Sequence, residues 1–353
     1  MSTEDNKYSY ELPEELIAKK PAEPRDSARL FIFDTKSGRI DFDIFSNLNK
    51  YLPEHSLLVF NNTKVVPARI NLYKKTGGKV EILFLVNEWG GGDTSFKVMA
   101  DRRLEIGDEL SIGEKFRKDF LVEKQESHFF WLRPNFEANK IFEILEEFGM
   151  TPIPKYIKGT DISEKELREK YQSIFAKNPS SVAAPTASLH FTSGLLAKLS
   201  NAGFDRTFVT LNVGLGTFAP LTDENFKKES LHSESFMIKD DAVESIRDAK
   251  SNRNPVVAVG TTVARTLESA ASHIFEMNCP ISGSTNIFIH PPFNFKVVDC
   301  LVTNFHLPNS SLMMMVEAFL ENKKSPLHLV ELYKKAIKER FRFYSFGDGM
   351  LIK

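Results

Sequence analysis

What this sequence of 353 residues lacks narrows it first. It has two cysteines, Cys279 and Cys300, without CxxC spacing and with no secretory apolar segment before them, which argues against a disulfide framework or a zinc ribbon. No apolar run approaches the ~18–20 residues a bilayer-spanning helix needs; the longest, 312–316, is a piece of a helical pattern. The start, MSTEDNKYSY, is polar and carries no targeting signal. We therefore expect a cytoplasmic protein with no membrane partner. Walker A, HExxH and GxSxG motifs are missing, which removes the commonest nucleotide, metalloprotease and serine-hydrolase signatures. A basic excess is missing too, with 46 Lys+Arg against 47 Asp+Glu and a net charge of -1. A chain that grips nucleic acid chiefly through phosphates would carry one.

What is present is ordinary globular material: 42% hydrophobic and 26% charged residues, enough for a sizeable core and, at this length, two domains. The 30 phenylalanines suit core filling better than base stacking. Two stretches are locally basic, 64–118 and 334–342, and each also reads as a solvated face.

The spacing of apolar residues predicts a short helix over 12–20 and buried strands at 29–33 and 57–60. From about 65 to 133, short strand-like runs punctuated by Gly and Asp predict a compact β module. A helix over 135–148 with Asn135 as N-cap follows. Beyond 155 helices and strands alternate. Helices are expected at 193–202 (capped by Thr192, stopped by Gly203), 241–250, 262–275, 310–320 (capped by Asn309) and 326–341. Strands are expected at 206–213, 255–259, 285–289 and 295–302. The fold class is therefore α/β: a large discontinuous α/β domain, residues 1–64 and 155–353, with a small β-barrel domain inserted at 65–154.

Six segments carry candidate chemistry. Val256-Val257-Ala258-Val259-Gly260-Thr261-Thr262 runs from a buried strand through glycine into a helix, a geometry that aims free N–H groups at a carboxylate, phosphate or hydroxyl-rich ligand. Arg265, one turn on, could reach the same anion, although a plain Thr-capped helix would look identical. Thr303-Asn304-Phe305-His306-Leu307-Pro308 ends another apolar strand and offers hydrogen-bonding and acid–base groups. Ser181 to Phe191 is a loop of small residues able to lie against a flat ligand or merely to pack. Gly214-Leu215-Gly216-Thr217-Phe218-Ala219 fits G-x-G-x-x-A, but no apolar helical stripe follows, which argues against a dinucleotide site and leaves a binding loop or a tight turn. Asn61-Asn62-Thr63-Lys64 is a polar turn at a strand end, and His232 with Glu234 is a further acid–base pair or two exposed residues. Cys300 and His306 have no partners at metal-ligand spacing.

Taken together, YELPEELIA (10–18), LVFNNTKVVPAR (58–69), SVAAPTASLHFT (181–192), VTLNVGLGTFAP (209–220), AVGTTVARTLES (258–269), VVDCLVTNFHLPNSSLMMMV (297–316) and FYSFGDGMLI (343–352) resemble, in order and spacing, the S-adenosylmethionine:tRNA ribosyltransferase-isomerases of queuosine biosynthesis. The match spans nearly the whole chain. AAPTASLHF, NVGLGTF and TNFHLP occurring together are specific, whereas each alone is not. The resemblance implies an α/β domain with an inserted barrel. It also implies transfer and isomerisation of the ribosyl moiety of S-adenosylmethionine onto 7-aminomethyl-7-deazaguanine (preQ1) at the tRNA wobble position, giving epoxyqueuosine with release of adenine and methionine. No metal and no cofactor beyond S-adenosylmethionine as co-substrate is expected. The chain departs from the family pattern at Asn212, where His is common, at Ser188, Asn309, Val263-Ala264 and Gly349. Asn can hydrogen-bond in place of His but cannot titrate.

On that footing His306 and His190 lead as acid–base groups, with Glu234 and Asp348 behind them. Asn61, Asn62, Thr63, Pro185, Thr186, Gly214, Gly216, Thr217, Thr261, Thr262, Thr303, Asn304 and Phe305 are expected to hold S-adenosylmethionine, and Arg265 its carboxylate. Arg25, Arg29, Arg69, Lys79 and Phe218 are expected to meet the tRNA or its modified base. A monomer is expected. The competing readings are another S-adenosylmethionine-dependent tRNA-modifying enzyme, such as a methyltransferase, and a tRNA-binding paralogue without catalysis.

Overall fold

The computed structural model describes residues 7–113, 117–157, 160–214, 221–276 and 280–353. The chain opens with β1 (Arg29–Phe33), β2 (Ile40–Ile44), β3 (Leu57–Asn61) and β4 (Thr63–Val65). It then forms β5 (Arg69–Lys74), β6 (Lys79–Phe84), β7 (Phe96–Ala100), β8 (Glu109–Ile112), β9 (Phe120–Glu126) and β10 (Phe129–Pro134). These six antiparallel strands close into a barrel in the order β10-β7-β6-β5-β8-β9, with Ile70, Leu72, Val80, Ile82, Phe84, Val98 and Leu132 filling it. The chain enters and leaves the barrel side by side, because Arg69 and Met150 exchange backbone hydrogen bonds of 3.2 and 2.6 Å.

After α1 (Ile141–Phe148) and α2 (Glu164–Lys170) come β11 (Asn178–Ser181), α3 (Ser193–Asn201), β12 (Asp205–Leu211), α4 (Asp223–Lys228), β13 (Ser230–Ile238) and α5 (Asp240–Ser251). The remainder is β14 (Val256–Val259), α6 (Thr261–Ser269), α7 (Ala271–Glu276), β15 (Ile281–Ile287), β16 (Cys300–Asn304), α8 (Ser311–Asn322), α9 (Leu329–Lys338) and β17 (Gly349–Ile352). A nine-stranded sheet, in the order β15-β13-β12-β3-β14-β16-β17-β1-β2, forms the body. Strands β12, β3, β14 and β16 are mutually parallel. Being covered on both faces, β14 and β16 are buried along their whole length, as their unbroken apolar runs require. The C-terminal ends of these four strands share one edge of the sheet, where ligands gather in α/β folds.

Several sequence expectations are corrected. The helix expected over 12–20 is a single 3₁₀ turn at Glu14–Leu16. The next residues are used as backbone partners of Phe343, whose N–H reaches the Leu16 carbonyl at 2.8 Å. Helix α1 begins at Ile141 rather than 135, since Asn135 spends its side chain on the Lys118 carbonyl of the barrel. Asn309 does not cap α8. It sits at φ 54 while Ser310 accepts the Met313 N–H. The helix over 262–275 breaks at Ala270 into α6 and α7, and the last helix starts at Leu329. The strand expected from 295 starts only at Cys300, because the amides of Lys296, Val297 and Val298 are taken by the buried Glu268 carboxylate. Strands β2, β9, β13 and β17 went unread in the sequence. By contrast, Thr192 caps α3 through the Leu195 N–H, and Gly203 follows at φ 82.

Candidate active site

The site starts where β14 hands over to α6. Gly260 has φ 102 and ψ 152, a region essentially reserved for glycine. This turn swings the chain straight from the buried strand into the helix. Gly260 offers no side chain as a cap, so the first amides of α6 stay available to a ligand, at the positive end of the helix dipole. Replacing Gly260 by Ala is expected to force this turn out of its conformation and tilt the start of α6. A misplacement of that size costs activity by about 10²-fold. Steady-state kinetics would check it, and an unchanged kcat/KM for the small-molecule substrate would contradict it.

Beside this helix start lies a narrow cleft with an internal volume of about 30 Å³. Its walls bring together Thr261 and Thr262 of α6, Thr303 and Asn304 at the end of β16, and Phe305 and His306 of the following loop. Pro185 and Thr186 of the small-residue loop face them. Eight residues singled out in the sequence as ligand-holding or catalytic thus converge from three distant segments.

The two leading histidines are both held neutral. His306 is buried, which pushes its pKa down to about 3. Its Nε2 lies 2.9 Å from the Thr303 hydroxyl, its N–H donates to the Tyr333 hydroxyl at 3.0 Å, and its carbonyl accepts from Tyr10. His190 packs on the Phe45 ring at 4.7 Å, and burial brings its pKa to about 4 against the opposing pull of Asp348. Its Nε2 lies 3.2 Å from Asn304 Nδ2, so His190 stands behind the cleft wall and acts on the cleft through Asn304. In the cleft wall Asn304 Oδ1 is buried without a partner among the described residues, as is the Ser188 hydroxyl, which does not line the cleft. A bound ligand would explain the Asn304 atom.

Other expected site residues are placed elsewhere. Asn61 is fully buried and self-satisfied: its Oδ1 accepts the N–H groups of Thr63 and Leu211, both at 3.1 Å, and its Nδ2 donates to the Leu211 carbonyl at 3.1 Å. Asn62 accepts from Thr210 at 2.6 Å, and the Thr63 hydroxyl lies 2.6 Å from that of Ser181. These three tie β3, β12 and β11 together and do not line the cleft. Asp348 accepts from the backbone of Arg29 (3.1 Å) and Arg342 (2.8 Å) and pairs with the Arg342 guanidinium at 3.0 Å. All its acceptor capacity serves the fold. Glu234 and Arg265 form a buried ion pair, with Gly214 donating its N–H to Glu234 at 2.8 Å. The Nε and Nη2 of Arg265 have no partner among the described residues.

Of the expected RNA contacts, Arg25 donates to the carbonyls of Gln172 and Glu169, and Arg29 donates to the Glu339 carbonyl with its guanidinium 3.9 Å over Phe341. Arg69 pairs with Glu81, and Lys79 is exposed on the barrel. None of the four lines the cleft. Gly216, Thr217 and Phe218 lie outside the described residues. Asn212 donates to the Ser235 hydroxyl at 2.9 Å and accepts from Ser180, so its departure from the family pattern takes no titrating group from the cleft wall.

The sequence reading missed Tyr156, Tyr344, Ser345, Leu307 and Leu312, which complete the cleft. Tyr344 and Ser345 sit in the FYSFGDG run, and Tyr344 has φ 72; Tyr156 carries no signal at all. The barrel residue Asn87 was missed as well. A Cβ on Gly214 would lie 2.7 Å from its Nδ2, so barrel and sheet touch tightly at this point. Among the described residues no group of three or more His, Cys, Asp or Glu could hold a metal ion, and no helix is long and apolar enough to cross a membrane.

Residues 5–352 match the family model described as queuosine biosynthesis protein. The chain is 41% identical, over 98% of its length and 99% of the relative's, to the S-adenosylmethionine:tRNA ribosyltransferase-isomerase of Caldanaerobacter subterraneus subsp. tengcongensis. It is 42% identical to the protein of that name from Aquifex aeolicus, with 98% of each covered. Among solved structures it is similar to the S-adenosylmethionine tRNA ribosyltransferase of Thermotoga maritima, at 33% identity, with 98% and 99% of the two chains covered and a TM-score of 0.55.

Proposed function

Because this chain belongs to the S-adenosylmethionine:tRNA ribosyltransferase-isomerases of queuosine biosynthesis, we propose that the cleft at the ends of β14 and β16 holds S-adenosylmethionine and presents its ribose to preQ1 in the anticodon of a tRNA. One observation carries this assignment: seven residues chosen as ligand contacts and one chosen as an acid–base group, from three separated segments, line one cavity. In this reading the barrel, residues 65–154, is an inserted domain of the α/β body formed by 1–64 and 155–353. The chain works in the cytoplasm as a monomer.

The sulfonium of the donor acidifies the C5′ protons of its ribose. Removal of one expels adenine, the aminomethyl nitrogen of preQ1 joins C1′, and an epoxide closes as methionine leaves. The hydroxyls of Thr261, Thr262 and Thr303 suit the sugar, and the orphaned Asn304 Oδ1 suits a donor on the base or the ribose. The faces of Tyr156 and Tyr344 suit adenine, whereas the Phe305 ring, expected to hold the ligand, is fully buried against Phe343 and Tyr333. The Nε and Nη2 edge of Arg265, without a partner among the described residues, has the shape for a carboxylate; Arg265 does not line the cleft, so the methionine end would have to extend beyond it to be held there. His306 is the imidazole that faces the reacting sugar. With its proton affinity lowered so far, holding the two substrates in register supplies more of the rate than proton transfer does.

Incubation of the purified chain with S-adenosylmethionine and preQ1-containing tRNA should release free adenine and methionine and leave epoxyqueuosine in the digested tRNA. Formation of S-adenosylhomocysteine would make the protein a methyltransferase. Binding of both substrates without turnover would make it a non-catalytic paralogue.

A further inference from the structure

The outer face of the barrel carries an aromatic strip that the catalytic reading does not use. Along β10, Phe130 and Leu132 point into the barrel and are buried, so Phe129 and Trp131 point outward and are only half-buried. Strand pairing sets Lys97 of β7 and Lys124 of β9 directly opposite Trp131, one on each side. The Lys124 ammonium lies 4.6 Å from the Trp131 ring centroid, and that of Lys97 lies 4.2 Å from the Phe129 ring. The exposed His128 ring continues the strip, 4.0 Å from Phe129.

The charges on this face are already balanced. Lys97 pairs with Glu88 at 2.7 Å, Lys124 with Glu126, and the neighbouring Arg133 with Glu123 at 2.9 Å. A surface that held RNA by its phosphates would leave such cations unpaired. What a ligand meets is the rings themselves, whose faces a base reaches by displacing the long, paired Lys97 and Lys124 side chains that lie over them; flat rings suit unpaired bases. The net charge of -1 points the same way: this protein has little general attraction for a phosphate backbone.

The strip also adjoins the catalytic side of the molecule. Glu88, the partner of Lys97, follows Asn87 in a 3₁₀ turn at Val86–Glu88. Asn87 abuts Gly214, just past the end of β12 and at the same sheet edge as the cleft.

We infer that Phe129 and Trp131, framed by Lys97 and Lys124, form a stacking surface for unpaired bases of the RNA substrate's loop. The inference rests on the reading of this protein as a tRNA-modifying enzyme. Loss of a stacked base costs about 5- to 100-fold in affinity, so Trp131→Ala and Phe129→Ala should each weaken binding of preQ1-containing tRNA within that range. Trp131→Phe should restore most of the loss. Binding of S-adenosylmethionine and the melting temperature should stay as in the parent. The salt dependence of RNA binding should be shallow and the same in parent and variants. An unpaired loop offered as an anticodon stem-loop should compete with the tRNA, and a fully paired duplex of equal length should not.

Unchanged tRNA affinity in the Phe129→Ala/Trp131→Ala double variant would overturn the inference, as would equal competition by duplex and stem-loop. If the parent protein neither binds nor converts the tRNA, the enzymatic reading itself fails; if it converts the tRNA and the double variant does so with the same KM, only this surface assignment fails.

Discussion

Replacing Glu234 by Ala is expected to lower folding stability by about 3–5 kcal/mol, the usual cost of leaving one member of a buried ion pair alone. The side chains of Glu234 and Arg265 are only 2% and 5% exposed, so water cannot take over what the substitution removes. Arg265 already keeps Nε and Nη2 without a partner among the described residues, and the variant would orphan Nη1 as well. Glu234 does more than neutralise. Its Oε1 accepts the Gly214 N–H, so one carboxylate joins β13, α6 and the end of the β12 connection, all at the edge of the sheet that carries the cleft. Urea denaturation followed by circular dichroism would measure the loss. The double variant Glu234→Leu/Arg265→Met should recover most of the stability, since a buried pair replaced by apolar groups of similar volume is often neutral or better. It should recover no affinity for S-adenosylmethionine if Arg265 holds the carboxylate. A loss below about 1 kcal/mol in the single variant would mean that solvent reaches the pair.

The sequence made some of this site visible, and the reason is local. The run from Val256 to Thr262 reads directly because four buried β-type residues, a glycine and two hydroxyls leave a strand-to-helix turn as the natural solution, and Gly260 does adopt a conformation closed to other residues. Thr303 to His306 reads for the same reason, polar groups placed at the end of an apolar strand. Asn61 to Thr63 has equally suggestive chemistry, yet its hydrogen bonds are spent on β12, β11 and, from Asn61 Nδ2 at 3.4 Å, the Thr262 hydroxyl of α6. Whether a polar turn serves a ligand or the fold depends on what lies opposite it, and one strand does not contain that information. Asp348 is the same case from the other side: a carboxylate in a motif-like run, satisfied by two backbone amides and an arginine. Helix ends fared by their neighbours. Thr192 capped as its position suggests, whereas Asn309 lost the role to the adjacent Ser310 once its own backbone turned to positive φ. Strands such as β2 at the sheet edge and β13 and β17 within it were invisible because pairing across the sheet, rather than alternation within the segment, creates them.

Acid should unfold this protein earlier than its carboxylates alone would dictate. His190 and His306 titrate at 6.5 when unfolded, but burial lowers them in the fold to about 4 and about 3. As pH falls through 6.5 the unfolded chain takes up two protons that the native state refuses, so stability declines with falling pH. The full stabilisation is present above that value. It is lost progressively down to about 4 for His190 and about 3 for His306. A tenfold difference in proton affinity is worth about 1.4 kcal/mol, so the loss is on the order of 3 kcal/mol for His190 and somewhat more for His306. The carboxylates with lowered pKa, such as Asp34 and Asp108, lose their contribution only below the ordinary carboxylate range near 4. The window from 6.5 to 5 therefore reports the histidines, opposed only where burial raises a carboxyl, as it does that of Glu268. Urea midpoints at pH 7.5, 6 and 5 (about one unit apart or a little more) would measure the slope, and His306→Gln should flatten it by about 1.4 kcal/mol per pH unit. A midpoint that does not move between pH 7.5 and 5 would mean that one or both imidazoles are protonated or solvated in the fold. The same neutrality bears on catalysis: with both groups already deprotonated at pH 6, kcat should show no limb near 6.5, and a limb there would assign the titrating group to a residue outside this pair.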